Sequence, residues 1–581
     1  MKYLFSMLTS VNIGRLKLLI VYIVSGLITF FHYLRIIKGD FPPEETSILT
    51  PNSGAKKIFA HYDGSNQTSP DGRVTNLIPF GILIGKLFSS GTSYFQLIFL
   101  TYLTFLAAYA IYKFLDIWKL QLYTFIGAFC SITFSFSFIL TSYYQTKTYG
   151  LVLFLLGSVI LLTKHKLSQK LIWISLLTFL TYGVIANPGT LATGLLFYLF
   201  YMFISRVELK TKVRYSLICF SVQLILYLPG IVLYYLNPQS ISAYKSNLIS
   251  QQTFFGNNLN ILIGRGYWAE NETGGPLLTN ARYFRWMEDY SVVFDNFRIV
   301  LILCLSYLIL FKMVVGQLRD SDSLLKIFLI TIILGYLQVS EGKLNPIYLL
   351  REWSGIFNIW REPWTKFNIL FILFLNLFLW VSLDNLIKHQ LSLRGKLKDI
   401  RNTSKRFGKS KLESKLKRRE LRGAFEMEKK YNKNAFLFFT FLLISSVIFY
   451  AQIMFNLIRA SSSSNSNYIS MKSLKHTYKK IELMNSFLES TNVSTYDEIQ
   501  ICSNYNQTQI IHRNEYQIFL DGLFLVRKEP IFKIGECRLN PLVEIDTFYP
   551  LYPYVLNQKS IESDNGRILR LNIQNNKVNI I

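Results

Sequence analysis

Long apolar runs separated by short polar segments fill most of the first 458 residues. A helix needs about twenty apolar residues to cross the roughly 30 Å hydrocarbon core of a bilayer, where its backbone groups must bond one another. By this measure the runs predict eleven transmembrane helices, at about 16–37, 92–114, 121–141, 147–163, 170–186, 188–205, 214–235, 297–314, 324–341, 366–387 and 434–458. A shorter apolar run, 76–90, contains one proline and two glycines and predicts a helix along the membrane surface.

The composition agrees with a membrane protein of many spans. Hydrophobic residues make up 51% of the 581-residue chain and charged residues 17%, whereas soluble domains have roughly 25% charged residues. These values exclude a disordered chain, a small disulfide-rich secreted scaffold and an ordinary soluble enzyme.

The segment after the last predicted span differs in composition. Residues 459–581 contain the sequence SSSSNSN close to their start. They continue with strand-like runs such as YQIFLDGLFLVRK and PIFKIG. A segment of about 120 residues can bury a modest core. The predicted fold is therefore mainly α, a polytopic membrane helix bundle over 1–458 joined to a small α+β domain over 459–581.

The charge pattern predicts the orientation of the bundle. The net charge of +27 arises from 62 Lys and Arg against 35 Asp and Glu, and residues 388–433 alone hold seventeen Lys and Arg against five acidic residues. Cytoplasmic loops carry such an excess, so the N-terminus and 388–433 are predicted on the inner side of the plasma (cytoplasmic) membrane. The first outer loop 38–91, the large loop 236–296 and the C-terminal domain then face outward. The basic loop is expected to bind anionic lipid headgroups, and no nucleic-acid partner is expected.

An acidic residue directly follows the first predicted span. Asp40 lies in KGDFPPEE, where Pro42 and Pro43 stiffen the chain beside the outer membrane surface. A carboxylate at that depth is partly desolvated and can take a proton from an approaching hydroxyl, as a general base does. Asp40 is therefore the predicted catalytic residue. Glu44 and Asp63 in the same loop are candidates for a second acidic role.

A basic and aromatic segment precedes a late span. In WREPWTK, Arg361 and Lys366 lie beside Trp360 and Trp364, and Arg351 lies ten residues before Arg361. Arg binds phosphate oxygens in a planar fork and Lys adds a point charge, while tryptophan is typical of headgroup depth. These residues predict a binding site for a phosphate whose lipid tail lies in the bilayer.

Other outer segments supply candidates for contacts with a sugar or an acceptor. They are Tyr144, Lys147, Tyr149, Trp268 and Glu270. His61 with Asp63 lacks a third ligand at useful spacing, so no metal site is predicted there. Cys502 and Cys537 are predicted to form a structural disulfide if the C-terminal domain faces an oxidising compartment.

Three short motifs carry a resemblance to a known group: Gly39-Asp40, Gly266-Tyr267-Trp268 and the segment from Arg361 to Lys366. Together with the many spans and the predicted surface helix, they make residues 1–458 resemble the GT-C integral-membrane glycosyltransferases, closest to the YfhO-type and arabinofuranosyltransferase-type proteins. The resemblance implies a GT-C fold, a polyprenyl-phosphate sugar donor, reaction at the outer face and the first-loop acid as base. The paired acids of some members have no clear counterpart here, so a divalent cation stays open as a cofactor.

The predicted activity is an inverting transfer of a sugar to an envelope glycan, lipid or protein acceptor. Asp40 draws the proton from the acceptor hydroxyl, which attacks the anomeric carbon on the side opposite the phosphate. Arg361, Lys366 and Arg351 stabilise the charge that grows on the departing lipid phosphate. The sequence contains no GxxxxGK[ST] phosphate-binding motif, as expected for a donor without a nucleotide.

Structural interpretations and other functions stay open. In the structural interpretation, Asp40 is an acidic residue at a turn. Arg361 and Lys366 anchor the protein at the interface by extending their charged groups to water, and Arg351 forms an ion pair with Glu352. A lipid or polysaccharide exporter predicts polar residues inside the bundle, yet the predicted spans contain very few ionisable residues. A membrane-anchored scaffold predicts that the C-terminal domain carries the function.

Overall fold

The computed structural model describes residues 13–37, 92–135, 137–139, 145–162, 166–182, 184, 189–194, 209–236, 261–262, 281–314, 321–339, 345–354, 357, 360, 363–407, 419, 422–423, 426, 433–451, 483–484, 486–487, 490, 498–502, 531–535, 543–544, 568–574 and 577–580. Most of these residues are helical. The longer helices are α1 (Ile13–Ile37), α2 (Thr92–Asp116), α3 (Leu122–Thr133), α4 (Gln145–Leu162), α5 (Leu167–Leu180), α6 (Leu209–Leu236), α7 (Ala281–Val314), α8 (Ser321–Tyr336), α9 (Pro346–Trp353), α10 (Pro363–Phe407) and α11 (Lys433–Ala451).

Four helical stretches within the described residues are long and apolar enough to cross a membrane. They are Ile13–Phe31 of α1, Phe297–Val314 of α7, Lys366–Ser392 of α10 and the whole of α11. These stretches indicate a mainly helical, membrane-associated protein with more than one span. The apolar stretches of α3, α4, α5 and α6 are shorter than these four, so the number of eleven spans stays a prediction.

The outward surface of the bundle is apolar. Large hydrophobic side chains are exposed on α1, α5, α6, α7, α8 and α11, and the exposed fraction reaches 70% at Tyr307 and 86% at Val314. In water, an apolar surface of this extent would drive aggregation. Lipid tails are as apolar as these side chains, so the same surface carries no such cost in a bilayer.

The buried core is built around the apolar part of α10. Every side chain from Phe371 to Asp384 is buried. This helix packs against α3, α7 and α8, and the ring of Trp380 lies 5.0 Å from that of Phe439 on α11. A helix that is apolar on every side must be surrounded by protein or by lipid, and here protein surrounds it. Helices α1, α2, α4, α5 and α6 extend the bundle as successive packed pairs.

Helices α3 and α10 approach closely at a glycine. A Cβ atom placed on Gly127 would collide with the six-membered ring of Trp380, which is fully buried. Small residues allow such close contacts between helices in membranes. Gly127 therefore sets the distance between α3 and the central helix.

One end of the bundle is fixed by the carboxylate of Asp384. Its Oδ1 accepts hydrogen bonds from the backbone N–H of Gln121 at 2.8 Å and from the hydroxyl of Thr124 at 2.6 Å. Its Oδ2 lies 2.6 Å from the ammonium of Lys388. A carboxylate at a helix N-terminus satisfies otherwise unpaired N–H groups and complements the helix dipole, so α10 holds the start of α3 in place.

The start of α1 and the end of α2 are joined in a similar way. The ammonium of Lys17 lies 3.4 Å from Asp116 Oδ1 and 5.2 Å from the centre of the Phe125 ring near the start of α3. Because the start of α3 is also bonded to Asp384 of α10, the start of α1, the end of α2 and the start of α3 lie together beside this residue. We call this group, Lys17, Asp116, Gln121, Asp384 and Lys388, the Asp384 end.

Several predicted boundaries differ from the observed ones, and α7, for example, begins at Ala281 instead of near 297. Helix α10 continues to Phe407 instead of ending near 387, and α3 ends at Thr133 instead of 141. Hydrophobicity marks where a helix lies in lipid, whereas polar residues with good helix propensity can continue it. At the end of α3, the Ser135 hydroxyl donates to a carbonyl oxygen of the last turn, a bond that competes with the helical pattern.

A five-stranded sheet lies within the region predicted as the C-terminal domain. Its strands are β1 (Glu498–Cys502), β2 (Ile531–Gly535), β3 (Val543–Glu544), β4 (Ile568–Gln574) and β5 (Lys577–Ile580), in the order β3-β2-β1-β4-β5. The central strand β1 pairs in parallel with β2 and β4, with Ile499 opposite Phe532 and Leu569. The outer pairs are antiparallel, with Leu571 opposite Ile580. Strand β2 coincides with the strand-like run PIFKIG.

Candidate functional site

A chain of buried polar side chains joins three segments at the start of α10. The hydroxyl of Ser137 donates to Asn368 Oδ1, and Asn368 Nδ2 donates to Gln338 Oε1 at 3.1 Å. Gln338 Nε2 then donates to the carbonyl oxygen of Leu334 at 2.7 Å. Because all three polar side chains are buried, each bond avoids the cost of an unsatisfied polar group. The chain fixes the start of α10 against the end of α8.

A second buried amide holds the segment that carries Arg351. Asn345 Nδ2 donates to the carbonyl oxygens of Tyr336 at 3.1 Å and Val339 at 3.0 Å, at the end of α8. Its Oδ1 accepts from the N–H of Ile347 at 2.9 Å, which caps the start of α9. One side chain therefore satisfies the end of one helix and the start of the next.

Aromatic rings continue from α9 toward α10. The centroid of Trp353 lies 5.9 Å from that of Phe357, Phe357 lies 6.0 Å from Trp360, and Trp360 lies 6.1 Å from Phe367. Trp353 is exposed and Trp360 is buried, so the rings run from the surface into the bundle. We call the region defined by Ser137, Gln338, Asn345, Trp360 and Asn368 the Asn368 end.

The two ends lie on opposite sides of the apolar core of α10. Asn368 and Asp384 are sixteen residues apart on one helix, a rise of about 24 Å at 1.5 Å per residue. This separation approaches the thickness of the hydrocarbon core.

Some predicted site residues are described and others are not. Lys366 is half-buried in the first turn of α10, two residues before Asn368, and Lys147 is half-buried near the start of α4. Tyr149 is buried, so its ring contacts protein and offers no open stacking face to a sugar, contrary to expectation. For Arg351 the structure describes the helical backbone only, and for Cys502 the strand backbone only.

The remaining predicted site residues lie outside the described residues. They are Asp40, Glu44, Asp63, Tyr144, Trp268, Glu270, Arg361 and Cys537. The predicted surface helix at 76–90 also lies outside them. The convergence of Asp40 with Arg361 and Lys366 therefore stays a prediction.

The interior of the bundle contains a polar cavity that the sequence did not indicate. Five polar side chains line it, Ser131 and Ser135 from the α3 segment, Arg298 of α7, Asn376 of α10 and Ser446 of α11, together with six leucine and isoleucine side chains. Arg298 is 5% exposed, and its guanidinium carbon lies 4.4 Å from the centre of the Phe449 ring. A cation over a ring face is stabilised electrostatically.

The expectation from the sequence concerned ionisable residues in the spans, whereas the polar groups of this cavity, apart from Arg298, are uncharged. Serine and asparagine barely lower the hydrophobicity of a twenty-residue window, so Ser131 and Asn376 were read as parts of apolar spans. Arg298 is the second residue of the predicted span 297–314, a position that does not by itself indicate a buried side chain. The one available signal was an asparagine in the middle of the run LFILFLNLFLW.

No metal site is evident in the part of the chain that the structure describes. There, no three His, Cys, Asp or Glu residues lie close enough together to hold a metal ion. Comparison with known proteins identifies no relative, because no family model, no curated protein and no solved structure matches the chain.

Proposed function

We propose that this protein is a membrane glycosyltransferase that takes a sugar from a polyprenyl-phosphate donor at the outer face of the membrane. The observation that supports this most directly is the position of Lys366. It lies at the Asn368 end, half-buried, on a helix start held by the amide chain of Asn368 and Gln338. A cation on this fixed helix start, six residues after Trp360, suits a phosphate whose lipid tail enters the bilayer.

The positions of the helix ends support a common site. Helix α1 begins at the Asp384 end, and its 25 residues span about 37 Å, so Ile37, three residues before Asp40, is carried toward the other end. Helix α4 begins with Gln145, six residues after Ile139. Six extended residues reach only about 20 Å, so Lys147 belongs to the same side as Ser137.

The positions of the helix ends also support the proposed orientation of the bundle, with the N-terminus on the inner side. The Asp384 end is continuous with the basic region that begins at Lys388, which follows the positive-inside pattern as the cytoplasmic side. The Asn368 end then faces outward. With eleven proposed spans, the outer loops and the C-terminal domain lie on the same side of the membrane as the Asn368 end. In this arrangement the protein lies in the plasma membrane with its site on the outer face.

The proposed reaction needs three kinds of group. Asp40 takes the proton of the acceptor hydroxyl, and the oxygen forms a bond to the anomeric carbon as the bond to the phosphate oxygen breaks. Arg361, Lys366 and Arg351 bind the polyprenyl phosphate that leaves with the electron pair. Attack opposite the phosphate inverts the anomeric configuration. The acceptor is an envelope glycan, lipid or protein.

The polar cavity favours a second candidate, a lipid or polysaccharide exporter, because polar groups inside a bundle are typical of transport paths. However, the cavity has room for only about one or two water molecules, and its lining includes Asn376, which lies near the middle of the apolar stretch of α10. A path for a lipid-linked sugar would need a much wider polar channel. The transferase is therefore the better-supported proposal.

The phosphate role can be tested by truncating its cations. In a radiolabelled transfer assay with purified protein, Arg361→Ala and Lys366→Ala are each expected to raise the KM for the polyprenyl-phosphate sugar about 10-fold or more. A charge-assisted bond contributes about 1.5–3 kcal/mol, and the KM for the acceptor should change little. Lys326→Ala is the matched control, because Lys326 pairs with Asp322 within α8. An equal rise in both KM values would contradict a donor-specific role.

The orientation can be tested by cysteine labelling in intact cells. In a cysteine-free variant, Ser462→Cys is expected to react with a membrane-impermeant maleimide, whereas Ser410→Cys should react only after the cells are opened. The positive-inside pattern places 388–433 in the cytoplasm and 459–581 outside. Labelling of Ser410→Cys alone in intact cells would reverse the topology and remove the outer-face site.

A further inference from the structure

Helix α9 is attached at both of its ends to the Asn368 end of the bundle. At its start, Asn345 caps the helix and donates to the carbonyl oxygen of Tyr336, the last residue of α8. At its end, Trp353 is joined through two further rings to Phe367 in the first turns of α10. Because both attachments lie at the same end of the bundle, α9 lies across that end instead of leading away from it.

The faces of α9 differ in burial. Ile347 is 1% exposed and belongs to the core of the bundle. Leu349 and Trp353, which are four residues apart and so share a face of the helix, are 47% and 78% exposed. Among the large hydrophobic side chains that the structure describes, only Val314 is more exposed than Trp353. One face of α9 therefore packs on the bundle, and another presents large apolar groups outward.

The outward face of α9 continues the apolar surface of α8. Leu329, Ile333 and Tyr336 are exposed along α8 up to its last residue. Since Asn345 bonds to Tyr336, α9 begins at the depth at which this surface ends. Tyrosine and tryptophan are enriched at the depth of the lipid headgroups, so exposed rings at this level favour lipid as the material that covers them.

We propose that α9 is an interfacial helix whose partner is the lipid of the membrane, with Leu349 and Trp353 at the boundary between the acyl chains and the headgroups. The apolar face of such a helix enters this boundary by about 5–10 Å. An indole ring suits this depth because it combines an apolar body with one polar N–H group. The contact goes beyond the proposed reaction, since it depends on the burial pattern of α9 and on neither Asp40 nor Lys366.

The contact can be tested by fluorescence quenching of the full-length protein in phosphatidylcholine vesicles. The lipids carry bromine near the glycerol or near the chain ends, and the signal of Trp353 is the difference between the natural protein and Trp353→Phe. Bromine near the glycerol is expected to quench this signal more than bromine near the chain ends. Acrylamide in the water should quench it weakly. Trp173, exposed on the outward surface of α5, provides through Trp173→Phe the reference for a ring in contact with lipid.

Two results of this measurement would overturn the proposal. Strong quenching of Trp353 by acrylamide with none by the brominated lipids would place α9 in water. Quenching by neither reagent would show that another part of this chain or a second copy covers the ring. The reference signal of Trp173 shows in either case that the bundle is in the bilayer.

A pair of variants connects the lipid contact to the outward face of α9. Leu349→Glu is expected to remove most of the quenching of Trp353 by lipid, because a carboxylate one turn away is drawn toward water. Leu349→Met, which keeps the apolar character, should leave the quenching unchanged. Both changes are at an exposed side chain, so the protein should fold and the Trp173 signal should stay. Unchanged quenching of Trp353 in Leu349→Glu contradicts the proposal.

Discussion

Replacing Asp40 with asparagine is expected to reduce sugar transfer by about 10²- to 10⁴-fold while the protein stays folded. Asparagine has nearly the same shape as aspartate but cannot accept the proton of the acceptor hydroxyl, and general base catalysis contributes a factor of this size. The measurement is kcat with purified protein in nanodiscs, with a polyprenyl-phosphate sugar as donor. Thermal unfolding of the same preparation shows whether the fold is kept.

Glu45→Gln provides the matched control for Asp40→Asn. Both changes remove one carboxylate charge from the same outer loop, so a general electrostatic effect would act on both variants alike. A loss of activity confined to Asp40→Asn supports the base. If Asp40→Asn keeps full activity, another residue takes the proton and the proposed catalytic role of Asp40 is wrong.

Replacing Gly127 with leucine is expected to prevent normal packing of the bundle. Even a single Cβ at 127 would collide with the ring of Trp380, and both residues lie on helices of the buried core. Overpacking of a core costs about 1–3 kcal/mol and sometimes more, and leucine at this contact is expected to reach or exceed the upper value. Yield of monodisperse protein and the midpoint of thermal unfolding are the measurements.

Gly26→Leu is the control for the steric explanation. Gly26 also lies within a helix, but no atom of another described segment lies within 4 Å of a Cβ placed on it, so the same substitution should leave the midpoint nearly unchanged. Shortening the opposing side chain should partly restore Gly127→Leu, so the double variant with Trp380→Ala is expected to lose less stability than the sum of the two single variants. An additive loss would show that the two residues do not act through this contact.

Hydrophobicity along the chain was a good guide to the helices and a poor guide to their ends. The runs at 16–37, 366–387 and 434–458 each coincide with a long apolar helix. The signal comes from the transfer of each side chain between water and lipid, which is a local property of the sequence. Helix ends depend on capping, backbone hydrogen bonds and helix propensity, which hydrophobicity does not measure. Helix α10 therefore continues through polar residues to Phe407, beyond the end of its apolar run.

The candidate site could be predicted only in part. A cation before a late span is visible in the sequence, and Lys366 was predicted that way. The amides that hold its helix, Asn345 and Asn368, gave no comparable signal, because an asparagine is recognised as a bridge only when its partners are known. Tyr149 was assigned to a sugar face from its type and position, but packing buried it.

The sequence by itself determined that this chain is mainly helical and associates with a membrane, because both follow from the spacing and length of its apolar runs. Only the tertiary structure decided which distant residues meet. Asp384 caps a helix more than 250 residues earlier in the chain, Gly127 receives the ring of Trp380, and Arg298 faces a cavity shared with Ser131. Such contacts depend on how closely whole helices pack, a property that no local stretch of sequence contains.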